Sequence, residues 1–240
     1  MVEILYKYLV GSLFLGLIWL LFFLRYKNLR KEMLFGSCIY PLVLVPLFLI
    51  TKGLSYFIEL SWNYVPSYFN PDTLFNLSRI LGGLSIEDVL FMLFMGGIIA
   101  VIYERLFKRR IKKSKKEPHK SAIIIFFISY IIIAIIFAFN PLYNLIISSF
   151  VGFLIIAWQR RDLIPHSIYG SLSFGIIYTI LIAIFVIIFP DAITNFWYPA
   201  NSSISNITIF NFPVEEVLYA FSFGLMWAPM YEYFKGYEIR

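Results

Sequence analysis

The stretch SIEDVLFMLFMGGIIAVIYE, residues 85–104, has a second version in the same chain, PVEEVLYAFSFGLMWAPMYE, residues 213–232. The two align without a gap, and seven of the 20 positions are identical. Chance likeness between apolar helices falls mostly on Leu and Ile. Here it includes Glu87 with Glu215 and Tyr103-Glu104 with Tyr231-Glu232, while Asp88 faces Glu216. Acids matched at both ends of an apolar segment point to duplication. The likeness continues upstream. Each copy has an apolar segment, a short basic loop, a second apolar segment, and a long loop with an aromatic cluster. Those clusters are Trp62-Asn63-Tyr64 and Phe196-Trp197-Tyr198.

Composition sets the class around this repeat. Of the 240 residues, 60% are hydrophobic and 14% charged, and the mean hydropathy is +0.81. A water-soluble globule has no place for that much apolar surface, whereas lipid accommodates it. A spanning helix needs roughly 20 apolar residues, which predicts an all-α membrane protein of seven transmembrane helices. The spans are read at about 4–24, 33–51, 85–105, 121–139, 142–158, 168–189 and 213–233. The first is read as a helix and not a signal peptide, since no small-residue cleavage site follows it. Asn140-Pro141 separates the fourth and fifth, because proline cannot continue the preceding helix.

The repeat unit is therefore three helices. The chain divides into a first unit at 1–107, a basic loop and linker helix at 108–140, and a second unit at 141–240. Two directly fused odd-numbered units would be inverted. The fourth helix restores the second unit to the orientation of the first, which predicts two parallel repeats about an axis along the membrane normal.

The formal charge of +6 is unevenly placed. Arg25, Lys27, Arg30 and Lys31 follow the first span, and nine Lys and Arg residues from Arg105 to Lys120 lie between the third and fourth. Arg160, Arg161, Lys235 and Arg240 join them on that side, against only Lys7, Lys52 and Arg79 on the other. Basic residues favour cytoplasmic loops, so the amino terminus is expected outside and the carboxyl terminus in the cytoplasm of a multi-pass cell-membrane protein. The run from Lys108 to Lys120 reads as a solvated loop meeting anionic headgroups. It lacks the interleaved aromatics of a nucleic-acid site, so no nucleic-acid partner is expected. Cys38, the only cysteine, reads as a small buried hydrophobe. His119 and His166 fall in polar loops, so no metal site is expected.

Glu87, Asp88, Glu215 and Glu216 are the candidates for chemistry. A carboxyl group at membrane depth is costly to ionise and keeps a proton that it can donate to an apolar substrate. First-turn acids also complement the helix dipole while facing interfacial water, but duplication at matched positions favours a shared cavity. Neighbours in a helix differ by about 100°, so one acid of each pair can face the cavity while the other bonds nearby groups. Tyr103-Glu104 and Tyr231-Glu232 read as headgroup-belt residues, and Gly96, Gly97 and Gly224 as points of close helix packing. Trp62, Tyr64, Trp197 and Tyr198 fit either an interfacial belt or π faces around a cation.

Pro213-Val-Glu-Glu-Val-Leu-Tyr219 and Ile86-Glu-Asp-Val-Leu-Phe91, with a tryptophan upstream and Tyr-Glu closing each span, resemble the lycopene cyclase domain family. This is the small membrane type found as two subunits or a fused duplicate, and the resemblance covers nearly the whole chain. It implies a cyclase acting on a hydrophobic polyene such as lycopene, without net redox. A protein acid protonates the terminal double bond, the neighbouring double bond attacks the cation, and proton loss leaves a β-ionone ring. On this reading Glu87 and Glu215 lead as acids, with Asp88 and Glu216 as supports or proton acceptors. Trp62, Tyr64, Phe91, Trp197, Tyr198 and Tyr219 line the substrate. Ser85, Asp88 and Asn63 depart from the family's proline, second glutamate and acid after the tryptophan, which implies a weaker first copy or another polyene.

No Gly-rich dinucleotide fingerprint occurs, and no aspartate-rich pair for Mg²⁺-diphosphate, so neither a cofactor nor a metal is expected. Besides membrane lipid, the polyene is the expected partner. The rival readings are a transporter with the four acids as a proton relay, which would need a water path through both leaflets, and a carotenoid-binding protein without turnover.

Overall fold

The computed structural model describes residues 6–57, 69–81, 83–108, 111–112, 116–137, 141–191, 196, 207–209 and 212–239. It is all-helical apart from two short antiparallel pairings. The main helices are α1 (Lys7–Arg25), α2 (Arg30–Ser55), α3 (Ile86–Leu106), α4 (Ser121–Phe137), α5 (Pro141–Gln159), α6 (Ile164–Ile188), α7 (Val214–Trp227) and α8 (Met230–Lys235). Five of them, α1, α2, α3, α5 and α6, are long and apolar enough to cross a membrane. The fourth expected span is the 17-residue α4. The seventh is divided into α7 and α8 at Ala228-Pro229, because a proline inside a helix removes a backbone donor and crowds the preceding turn.

The helices turn apolar side chains outward and small polar ones inward, as a lipid-facing bundle does. Leu17, Leu21, Ile136 and Ile187 are exposed, while Ser37, Ser148, Ser149 and Ser167 are buried. Cys38 departs from its expected burial and lies on the exposed face of α2.

Both units are assembled alike. In the first, α3 packs between α1 and α2; in the second, α7 packs between α5 and α6. A 3-10 turn precedes the second helix of each, Lys27–Leu29 before α2 and Arg161–Leu163 before α6. Small residues sit at matched crossings. A β-carbon on Gly36 would strike Gly96 and Ala100, one on Gly96 would strike the Gly36 backbone, and one on Gly170 would strike Ala228. The units meet where α3 contacts α6 and where α8 contacts α2, while α4 packs against α5 and α2.

The basic loop is tied to the rest of the chain while its described residues stay largely exposed. Ile111 and Lys112 pair with Ile239 and Glu238 as an antiparallel strand. Lys116 bridges Asp162 at 3.1 Å and Glu238 at 3.4 Å, and the His119 backbone donates to the Tyr233 carbonyl. This loop, the α5–α6 turn and the C-terminal tail form one layer over an end of the bundle.

Candidate active site

The first turns of α3 and α7 hold the acids. Ser85 caps α3 with a reciprocal box: its hydroxyl accepts from the Asp88 backbone, and Asp88 Oδ2 accepts from the Ser85 backbone N–H at 2.8 Å and its hydroxyl at 2.6 Å. Such a box satisfies donors that a helix start leaves free. Asp88 Oδ1 accepts from the Tyr8 hydroxyl of α1 at 2.6 Å. In the second unit Pro213 stands at the cap position and brings no side-chain hydrogen bond. The longer Glu216 instead reaches the Tyr178 hydroxyl of α6, which donates to its Oε2 at 3.2 Å. Serine with aspartate thus stands where the other unit has proline with glutamate, and the shorter acid is the one that is capped.

Asp88 and Glu216 line one cavity of about 270 Å³. Helices α1, α2, α3, α5, α6 and α7 contribute to its wall, among them α1 through Tyr8, α2 through Tyr40, α3 through Phe91 and α7 through Tyr219. No described residue of α4 does so. The lining is otherwise chiefly aliphatic and aromatic, and the Tyr40 and Tyr219 hydroxyls are hydrogen-bonded to each other across it. Phe69 and Phe196 close one end, where Asn70 donates to the Phe196 carbonyl and ties the two long loops together. Val10 and Phe14 of α1 and Ile184 and Ile188 of α6 belong to the wall yet are exposed, which marks a lateral opening between those helices.

Glu87 and Glu215 do not line this cavity. Both are buried; Glu87 Oε1 accepts from the Leu74 backbone at 2.8 Å, and Glu215 Oε1 from the Tyr143 hydroxyl at 2.9 Å. Of the four candidate acids the cavity faces the second member of each pair, not Glu87 and Glu215, which the sequence put first. Phe91 and Tyr219 line the cavity, whereas Trp62, Tyr64, Trp197 and Tyr198 lie outside the described residues. Tyr8, Tyr40 and Tyr178 were missed. They belong to the first and second helices of their units, and no repeated motif marks them.

The chain matches the family model described as lycopene cyclase over residues 6–106 and 140–234. It belongs to the lycopene cyclase family. The two matched segments cover α1–α3, α5–α7 and all but the last residue of α8, and the interruption falls on the basic loop and α4. No curated protein and no solved structure matches the chain. Family membership and the long apolar helices together make this lycopene cyclase relative a membrane protein.

At the far end of α3 and in α8 the geometry departs from the headgroup-belt expectation. Tyr103, Glu104, Tyr231 and Glu232 are all buried, the two glutamates at 2% and 0% exposure, inside the bundle and not at its rim. His166, expected in a loop, is the third residue of α6 and is buried with them. Pro165 looks like a boundary but is tolerated in a first helical turn, so α6 begins earlier than its hydropathy suggests.

Proposed function

We propose that this chain cyclises the end group of an acyclic carotenoid such as lycopene, as a seven-span cell-membrane enzyme with its amino terminus outside and two parallel three-helix units at 1–107 and 141–240. The observation that carries this reading is the pair Asp88 and Glu216, one from each unit, in the wall of one chiefly apolar cavity. Glu216 is the proton donor. Its proton adds to the terminal double bond, giving a tertiary cation, and the next double bond attacks to form the ring carbon–carbon bond. Loss of a ring proton leaves the new double bond, so the product is an isomer of the substrate and no redox partner is consumed. Asp88 suits the acceptor role, because the Tyr8 and Ser85 donors hold it at the cavity wall while its carboxylate keeps a lone pair to take the proton. Phe91, Tyr178 and Tyr219 supply rings that stabilise the passing cation in a chiefly apolar site.

Size supports an end-group site. About 270 Å³ lies just under the roughly 300–1,000 Å³ of small-molecule pockets, enough for the reacting end of a long polyene whose remainder leaves through the α1–α6 opening into lipid. α4, packed on α5 and α2, covers the corresponding side of the other unit. Replacing Val10 and Ile184 with Trp narrows the opening and is expected to slow product formation roughly tenfold by gating substrate access. Ile128→Trp with Ile132→Trp on the exposed face of α4 leaves it unchanged.

A proton relay fits less well. From Val89 to Ile102, α3 carries only apolar side chains and glycine, so an apolar layer separates Asp88 from Glu104. The deciding experiment is pigment analysis of lycopene-accumulating bacteria expressing the chain. β-Carotene or γ-carotene is expected. Unchanged lycopene, with the protein present in the membrane, rules out lycopene as the substrate.

A further inference from the structure

Glu104 of α3, His166 of α6 and Glu232 of α8 meet in the bundle interior, away from the polyene cavity. Each offers a ligand atom, and these atoms all lie within 4.8 Å of one another. His166 Nε2 is 3.5 Å from Glu104 Oε1, and its Nδ1 is 3.6 Å from Glu232 Oε2. His166 is 2% exposed, yet neither ring nitrogen makes a hydrogen bond, and neither do the four carboxylate oxygens. Unsatisfied polar atoms at this depth are rare and call for an unseen partner. The nearby cation does not serve. Arg160 pairs with Asp162 and donates to the backbone carbonyls of Glu232 and Tyr237, and makes no hydrogen bond to the Glu232 carboxylate. Glu32, also buried with a free oxygen, is near enough to repel both acids.

We infer that Glu104, His166 and Glu232 bind a divalent transition-metal cation between the two units, with Glu32 adding negative charge beside it. Ligand atoms around one such ion sit about 3.3–3.5 Å apart when its bonds are about 2.0–2.2 Å, so the side chains must draw in around the ion from spacings of up to 4.8 Å. One imidazole with carboxylates suits zinc, iron or manganese and not the all-oxygen shell of calcium. The Tyr103 ring stacks on His166 with centroids 4.6 Å apart and holds its plane. The placement follows the duplication. Glu104 and Glu232 are matched in the repeat, and Glu32 and His166 each lie three residues beyond the matched 3-10 turns. One ligand comes from the first unit and two from the second, so the ion clamps the units together while the polyene cavity stays separate.

The test is independent of pigment. The full chain, purified in detergent after growth with added Zn²⁺, Mn²⁺ and Fe²⁺ and then dialysed, is expected to retain about one metal ion per chain by elemental analysis. The E104Q/E232Q variant retains none. Returning zinc to the chelator-stripped chain at about 100 times its Kd raises the unfolding midpoint by roughly 5–10 °C. Should the variant fail to fold, Co²⁺ titration of the stripped wild-type chain decides: a saturable visible absorption band supports the site. No retained metal, no midpoint shift and no saturable band overturn it. These readouts stand whether or not the chain cyclises lycopene.

Discussion

Glu216→Gln is expected to leave the protein in the membrane, still able to bind polyene, and to lower ring formation by roughly 10²–10⁴-fold, the usual contribution of a positioned acid. The substitution keeps shape and a hydrogen-bonding group for Tyr178, so packing is spared while the transferable proton is lost. The comparison that gives it force is Glu215→Gln. Glu215 is bonded to Tyr143 behind the cavity wall, so its loss costs stability before chemistry and lowers turnover much less. Pigment quantified against membrane protein separates them. Full turnover in E216Q would remove Glu216 as the acid, and a complete loss confined to E215Q would return that role to the first glutamate. Asp88→Asn, by contrast, keeps the cap geometry but weakens proton acceptance, and it should trap turnover after cation formation and not before it.

Gly96→Leu is expected to have the largest effect on folding. At this crossing the α2 and α3 backbones touch through Gly36 and Gly96, so any β-carbon meets backbone that cannot rotate aside. Overpacking a tight site costs about 1–3 kcal/mol or more, and at a backbone contact the upper end applies. The unfolding midpoint in detergent should fall by roughly 6–12 °C at about 2–4 °C per kcal/mol. Gly53 is the control: a β-carbon there meets nothing within 4 Å. Gly53→Ala should be neutral or stabilise by up to about 1 kcal/mol, because alanine loses less freedom in a helix. An equal response at both positions would refute the close crossing.

The duplication explains why these effects differ between units. Matched positions keep the same packing job, as Gly36 with Ala100 and Gly170 with Ala228 do. Positions at the site have diverged. Ser85 and Asp88 make a capping box that Pro213 and Glu216 cannot, which leaves one unit with a capped aspartate and the other with a longer acid bonded to Tyr178.

The sequence by itself determined the helical membrane class, the repeat, the positions of the long helices and the four acids at the starts of α3 and α7. These follow from local properties: hydropathy over a window, and identity at matched positions. Only the tertiary structure decided which acid of each pair meets the cavity, because that depends on how each helix is rotated and on Tyr8 and Tyr178 arriving from other helices. It also decided that Tyr103, Glu104, Tyr231, Glu232 and His166 are interior. A polar residue near the end of an apolar segment looks the same in sequence whether it meets headgroups or a neighbouring unit. What distinguishes the two is the covering layer built from the basic loop, the α5–α6 turn and the tail, segments remote in the chain that meet only when it folds.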